Sequence, residues 1–190
     1  MEFNNLTEAA ATAATERNMQ TISRLSINQY TLRNSTIAQL LEDCAAERIS
    51  FVALWREKVA EAGLDEIQKL LGDTGIKVSS LCRGGFFPAA TLAQESRTWE
   101  ENKRAVDEAA AVGAEVLVLV CGGIVNHDLD RSREMVVRGI DRLLPYAEKS
   151  GVKLGIEPLH PMFAADRSVI VSLSQANAVV TSSNPAISGP

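Results

Sequence analysis

The sequence predicts an α/β fold of the (β/α)8 TIM-barrel type, incomplete, with about five βα units present. From Arg24 onward, short runs of β-forming residues alternate with amphipathic helical runs, and each pair occupies about 30 residues, the length of a βα unit with its loops. Polar or conformationally special residues follow each strand run, as at the active face of a barrel. The chain has 190 residues, whereas a full barrel typically needs about 250.

The first three units follow from strand patterns, helix caps and helix stops. The strand predicted over 25–32 leads to Asn34-Ser35-Thr36, whose side chains are good N-caps for the next helix. The second strand, 50–55, stops at a charged turn, and a helical stripe over 64–71 then ends at glycines. The third strand, 77–82, precedes a glycine-containing loop and a helix through Trp99. These patterns predict three parallel strands with intervening helices.

The last two units are predicted in the same way. The run 115–121 is almost entirely aliphatic, which is typical of a parallel strand covered on both faces. Asp128 or Asp130 can cap the next helix, and Gly151 ends it. The fifth strand is predicted over 152–156, and a fifth helix from about 168 to 180. All five strands are expected to be parallel.

A doubly wound open sheet has the same periodicity, so motifs and strand ends must decide between it and a barrel. No GxGxxG follows the first strand, where Thr31-Leu32-Arg33-Asn34 stands, and no GxxxxGK[ST] occurs. The residues at the strand ends favour the barrel: Arg33, Trp55-Arg56-Glu57, Cys82-Arg83, Gly122-Gly123, Glu157 and His160.

Composition excludes several classes of protein. A formal net charge of -5 and a pI of about 5.2 disfavour a nucleic-acid partner. No apolar run is long enough for a membrane segment, and the N-terminus lacks the pattern of a secretory leader. Three widely spaced cysteines indicate core thiols in a reducing compartment, so we expect a cytoplasmic protein. The predicted organisation is a mobile arm over 1–22, a partial barrel over 23–180 and an irregular tail over 181–190.

Five residues are candidates for chemistry. Glu157 emerges where the fifth strand reaches the barrel rim, which suits a ligand for a hard divalent cation, although a solvated carboxylate is the alternative. His160 can contact a substrate oxygen or simply face solvent. Gly122 and Gly123 can let backbone amides approach an oxyanion or phosphate, or form a flexible turn. Trp55 can line the floor of a sugar pocket or cap the barrel core.

From about residue 25 to 180 the chain resembles the sugar phosphate isomerase/epimerase family with the xylose isomerase-like TIM barrel. That family includes hydroxypyruvate isomerases, inosose dehydratases and ketose 3-epimerases. The resemblance is carried by Leu25-Ser26-Ile27-Asn28-Gln29, Leu54-Trp55-Arg56, the helix over 99–111, the strand over 118–123 and Gly155-Ile156-Glu157-Pro158-Leu159.

The resemblance implies a sugar or sugar phosphate substrate and four metal ligands at successive strand ends, of which Glu157 matches the first. The ion would be Mn2+, Mg2+, Co2+ or Zn2+. It would stabilise an enediolate while carboxylates move the proton.

The next ligand of the family, an Asp ending the sixth strand, would fall near the end of this sequence, where 181–190 is rich in turn residues. We therefore expect a C-terminally truncated chain that is inactive alone and retains no metal. Its open strand edges make a homo-oligomer an expected association. Two alternatives remain open, an endonuclease IV-like AP endonuclease barrel and a non-catalytic remnant.

Overall fold

A computed structural model describes residues 24–183 of the chain. The arm predicted over 1–22 and the part of the predicted tail from 184 to 190 lie outside the described residues. The chain divides into two compact units, and the boundary between Ser79 and Ser80 falls within the third strand.

The structure contains one sheet of five strands in the order β1-β2-β3-β4-β5. Parallel pairing is recorded between β1 and β2, β3 and β4, and β4 and β5. A doubly wound sheet reverses its strand order at a switch point, whereas strands of a (β/α)8 barrel follow one another in sequence. The observed order therefore confirms the predicted partial TIM-barrel fold. The strands are β1 Ser26–Asn28, β2 Phe51–Trp55, β3 Lys77–Gly85, β4 Val116–Val120 and β5 Lys153–Ile156.

Six α-helices alternate with these strands in the described part of the chain. They are α1 Ile37–Ala46, α2 Arg56–Ala62, α3 Leu64–Thr74, α4 Leu92–Ala111, α5 Leu129–Lys149 and α6 Leu173–Ser183. Two predicted caps are confirmed. Thr36 forms a capping box with Gln39 at the start of α1, and the Asp128 side chain accepts from the Arg131 N–H at the start of α5.

The first unit differs from the prediction at two places. The strand expected over 25–32 ends at Asn28, because the Asn28 side chain accepts from the Tyr30 N–H and starts a 3-10 helix, Gln29–Leu32. The charged turn expected after Trp55 is the helix α2. Its Arg, Glu, Lys and Ala residues are good helix formers, and it buries Val59.

In the second unit, β3 continues three residues beyond its predicted end at Cys82. After an irregularity between Cys82 and Gly84, the strand stays paired with β4 as far as Gly85 opposite Val120. The buried Asn102 side chain of α4 accepts from the Gly85 N–H at 2.6 Å and donates to the Gly85 carbonyl at 2.8 Å. An asparagine in the helix layer thus fixes the end of a strand.

The helix expected from about residue 168 begins at Leu173 instead. Ser168 is extended and forms a parallel bridge with Gly122, and the Ser172 hydroxyl accepts from the Gln175 N–H where α6 starts. The helix ends at Ser183, three residues beyond the predicted end.

The cores of the two units are aliphatic. In the first, Leu40, Leu41, Val52, Leu54 and Ile67 are fully buried; in the second, the fully buried residues include Leu81, Leu117, Leu119, Leu143 and Ile170. The three cysteines are free and buried, which confirms their interpretation as core thiols. Within residues 24–183, no helix combines the length and apolar content needed to cross a membrane.

Candidate functional site

Glu157 lies at the carboxyl end of β5, as predicted, and its side chain is exposed. Its backbone N–H donates to the Leu119 carbonyl at 3.0 Å, which continues the pairing of β4 with β5 by one residue. The sheet therefore fixes the position of the Glu157 backbone while the carboxylate stays accessible. This is the arrangement that a ligand or proton-transfer group at a strand end requires.

His160 follows three residues later and is also exposed. Its Nδ1 atom accepts a hydrogen bond from the Met162 N–H at 3.2 Å and caps the 3-10 helix Pro161–Phe163. With Nδ1 as acceptor, the neutral ring carries its proton on Nε2, the nitrogen left to contact a ligand. His160 thus has a structural role through one nitrogen and a free donor at the other.

Gly122 is buried at the end of β4, where the segment after β5 folds back onto it. Its N–H donates to the Arg167 carbonyl at 2.8 Å, and its carbonyl accepts from the Val169 N–H at 2.8 Å. A Cβ atom at Gly123 would lie 2.4 Å from the Ala165 carbonyl oxygen. Both glycines therefore allow close backbone packing, and the Gly122 amide is already hydrogen-bonded within the protein.

Cys121, immediately before this pair, is fully buried. Burial raises the pKa of its thiol from 9.0 to about 12, and a hydrogen bond with the Ser168 side chain partly opposes that rise in pKa. The thiol is therefore protonated at neutral pH and does not act as a nucleophile there.

The raised pKa of Cys121 predicts an alkaline dependence of stability. The thiol ionises near pH 9.0 in the unfolded chain and near pH 12 in the folded chain. Its contribution is fully present below pH 9 and is lost as the pH rises toward 12, with a slope of about 1.4 kcal/mol per pH unit. Urea unfolding of the wild type and of Cys121→Ala between pH 8 and pH 11 measures this slope. If the free energy of unfolding had the same pH dependence in the two proteins, the raised pKa of Cys121 would be contradicted.

Trp55, the remaining predicted site residue, belongs to the first unit and lies at the end of β2. Its ring stacks on Tyr30 with centroids 4.5 Å apart, and its Nε1–H donates to Asn28 Oδ1 at 2.9 Å. Tyr30 is 55% exposed, so the pair presents an aromatic surface to solvent. Such a surface suits the apolar face of a sugar ring.

Two residues that contact Trp55, namely Tyr30 and Gln29, were not identified as candidates from the sequence. Tyr30 was placed inside a strand, and only its position near a strand end could have identified it. Gln29 is 1% exposed, and its Oε1 accepts from the Trp55 N–H at 3.1 Å. Its buried Nε2 has no hydrogen-bond partner among the residues that the structure describes. An unpartnered buried amide is unusual in a folded core.

The described residues do not form a complete metal centre. Across residues 24–183, no three His, Cys, Asp or Glu side chains come together in a group able to hold an ion. Glu157 is thus a single candidate ligand, and the donor set present in this part of the chain does not fit the four-ligand site that the resemblance implies.

Comparison with known proteins identifies the class of protein to which this fold belongs. A family model described as the xylose isomerase-like TIM barrel matches residues 39–186, and the chain belongs to this family. No match was found among curated proteins.

Three solved structures show how far the likeness extends. The protein SMc04130 from Sinorhizobium meliloti 1021 is 43% identical, with a TM-score of 0.83, and the match covers 86% of this chain and 61% of that one. An IolI protein with a bound zinc atom is 21% identical, with a TM-score of 0.70 and coverage of 84% and 58%. D-psicose 3-epimerase crystallised with D-fructose is 15% identical, with a TM-score of 0.68 and coverage of 84% and 59%. The chain thus spans about three fifths of these proteins.

Proposed function

We propose that the chain carries part of the active face of a metal-dependent sugar or sugar phosphate isomerase/epimerase, with Glu157 as its acid-base or metal-binding carboxylate. The observation that supports this proposal is the accessible Glu157 side chain on a backbone held by β4 at the end of β5. Family membership and the likeness to an epimerase support the reaction class.

The chemistry assigned to Glu157 is proton transfer next to a carbonyl. The carboxylate takes a proton from the hydroxyl-bearing carbon beside the carbonyl of a ketose, which leaves an enediolate. Return of the proton to the former carbonyl carbon, with the hydroxyl proton passing to the former carbonyl oxygen, gives the isomer. Protonation of the original carbon on its opposite face by a second acid gives the epimer. The exposed His160 Nε2–H supplies a hydrogen-bond donor for a substrate oxygen. No step of this chemistry is assigned to a metal ion, because the described residues hold no complete set of ligands.

The aromatic pair of Trp55 and Tyr30 is proposed as a sugar-binding surface of the first unit. The Asn28 carboxamide supports it by accepting from both the Trp55 indole and the Tyr30 backbone. Gly122 and Gly123 are proposed to shape the rim by close packing. A nuclease function has less support, since the net charge of -5 opposes attraction of a DNA backbone.

Because residues 24–183 supply one candidate ligand where the family resemblance implies four, we expect the isolated chain to bind divalent cations weakly and to show no turnover. Mn2+ is titrated into the 190-residue chain while nuclear magnetic resonance records line broadening and the exchange of ketose protons with solvent. In the wild type we expect Mn2+ to cause weak broadening of the resonances of residues near Glu157. This broadening should be absent in Glu157→Gln and unchanged in the control Glu134→Gln, which alters an exposed carboxylate elsewhere.

Two results would contradict this proposal, one for the activity of the chain and one for the role of Glu157. Tight Mn2+ binding with ketose epimerisation would overturn the expected inactivity of the chain. Mn2+ broadening that is equal in the wild type and in Glu157→Gln would remove Glu157 as a ligand.

A further inference from the structure

A second candidate binding site lies in the helix layer of the second unit. Between α4 and α5, beneath the loop that follows β3, is a pocket of about 260 Å³. Phe87, Trp99 and Met135 give it apolar walls. Glu157, His160, Gly122 and Gly123 do not line it, so it is separate from the proposed active face.

The backbone of α5 is shaped to admit Phe87. A Cβ atom at Gly139 would lie 2.3 Å from Phe87 Cδ1, so any larger residue there would displace the ring. Phe87 is 7% exposed although it belongs to a loop. The ring and the glycine together form a packed apolar end to the pocket.

Arg142 contributes an oriented cation to the same pocket. Its guanidinium carbon lies 4.1 Å from the centroid of the Trp99 ring. A cation-π contact uses the face of the guanidinium, whereas its N–H groups point outward in its plane. The contact with Trp99 therefore restrains Arg142, and no hydrogen bond or ion pair of its guanidinium is found among residues 24–183.

The charges around the pocket favour an anion. Arg138 and Arg142 line it from α5, and Glu95 lines it from α4. Arg138 also lies 3.8 Å from Glu134 on its own helix, so Arg142 is the cation of the pair that no carboxylate approaches within 4 Å in the described part of the chain. The lining residues alone therefore carry two positive charges and one negative charge, and Arg142 is the cation available to an anionic ligand.

We propose that this pocket binds a small planar carboxylate with an apolar ring. The carboxylate accepts in-plane hydrogen bonds from Arg142, in the geometry that guanidinium groups favour. The ring occupies the space between Phe87, Trp99 and Met135, and a hydroxyl group on the ring can donate to Glu95. The volume lies just below the usual range for ligand pockets, which limits the ligand to a single ring with short substituents.

Methionine methyl resonances test the proposal on the intact chain. Of the four methionines, Met135 lines the pocket, whereas Met162, 71% exposed, lies on the loop after β5 and serves as an internal control. The probe is 4-hydroxybenzoate, compared with the uncharged 4-hydroxybenzamide. We expect a saturable shift of the Met135 methyl with the carboxylate, no shift of Met162, and binding of the amide that is weaker by about tenfold.

Variants locate the anion contact. Arg142→Gln should weaken binding of 4-hydroxybenzoate by about tenfold, and Arg131→Gln, on an exposed position of the same helix, should leave it unchanged. Equal binding of acid and amide by the unaltered chain would overturn the proposal without reliance on any variant. So would an unchanged affinity in Arg142→Gln, the absence of a saturable Met135 shift, or a Met135 shift that follows protein concentration alone, which would indicate a second copy as the occupant.

Discussion

Replacing Gly122 with alanine is expected to lower the free energy of unfolding by about 3 kcal/mol. The glycine has a φ of 99°, and an added Cβ would lie 2.6 Å from Pro88 Cδ and 2.9 Å from Phe86 Cα. The substitution therefore combines an unfavourable backbone conformation with a collision between the added methyl group and the loop after β3. Urea unfolding followed by circular dichroism measures the change.

The matched control is Gly72→Ala in α3. That glycine has no atom within 4 Å of the added Cβ and has ordinary helical φ. Because alanine favours a helix over glycine, this control should raise stability by about 0.5–1 kcal/mol. A Gly122→Ala protein as stable as the wild type would show that Phe86 and Pro88, in the loop after β3, do not pack on Gly122 as described.

Replacing Asn102 with leucine is expected to destabilise the second unit by about 4 kcal/mol, with about 2 kcal/mol from each stranded group of Gly85. Asn102 is 2% exposed, and its amide also donates to the Thr98 carbonyl at 3.0 Å. Leucine has a similar volume but leaves the Gly85 N–H and carbonyl without these partners inside the protein. Equilibrium unfolding in urea measures the loss.

Two comparison variants separate hydrogen bonding from packing at this site. Asn102→Asp keeps an acceptor for the Gly85 N–H but loses the donors to two carbonyls, so it should also destabilise strongly. Arg97→Ala, at an exposed position of the same helix, should change stability little. A leucine variant with wild-type stability would contradict the role of Asn102 in holding the end of β3.

The fold was predictable because its signals are local and repeated. The apolar run of β4 and the caps at Thr36 and Asp128 each fix an element through nearest-neighbour chemistry. The continuation of β3 to Gly85 was not predictable, since it depends on Asn102, which is 17 residues away in sequence. Gly84 and Gly85 are typical of a loop in the sequence, but they form a paired strand because the Asn102 side chain bonds to Gly85.

The candidate site was predictable only in part for the same reason. Glu157 was found because a carboxylate directly after an aliphatic strand is visible in the sequence. The stacking of Tyr30 on Trp55 and the bonding of Gln29 to the Trp55 backbone join residues about 25 positions apart. No local pattern encodes such contacts. The Arg142–Trp99 contact was likewise invisible, because it joins different helices.

The backbone hydrogen bonds that hold the segment after β5 determine which side chains of this rim can vary. Its hydrogen bonds to the residues just after β4 join backbone atoms. They run from the Gly122 N–H to the Arg167 carbonyl, from the Ile124 N–H to the Ala164 carbonyl and from the Val169 N–H to the Gly122 carbonyl. The side chains of residues 162–167 take no part in these three hydrogen bonds. They can therefore be substituted during evolution without loss of the backbone pairing. Mutagenesis libraries that aim at a new substrate specificity should vary those positions and leave Gly122 and Gly123 unchanged.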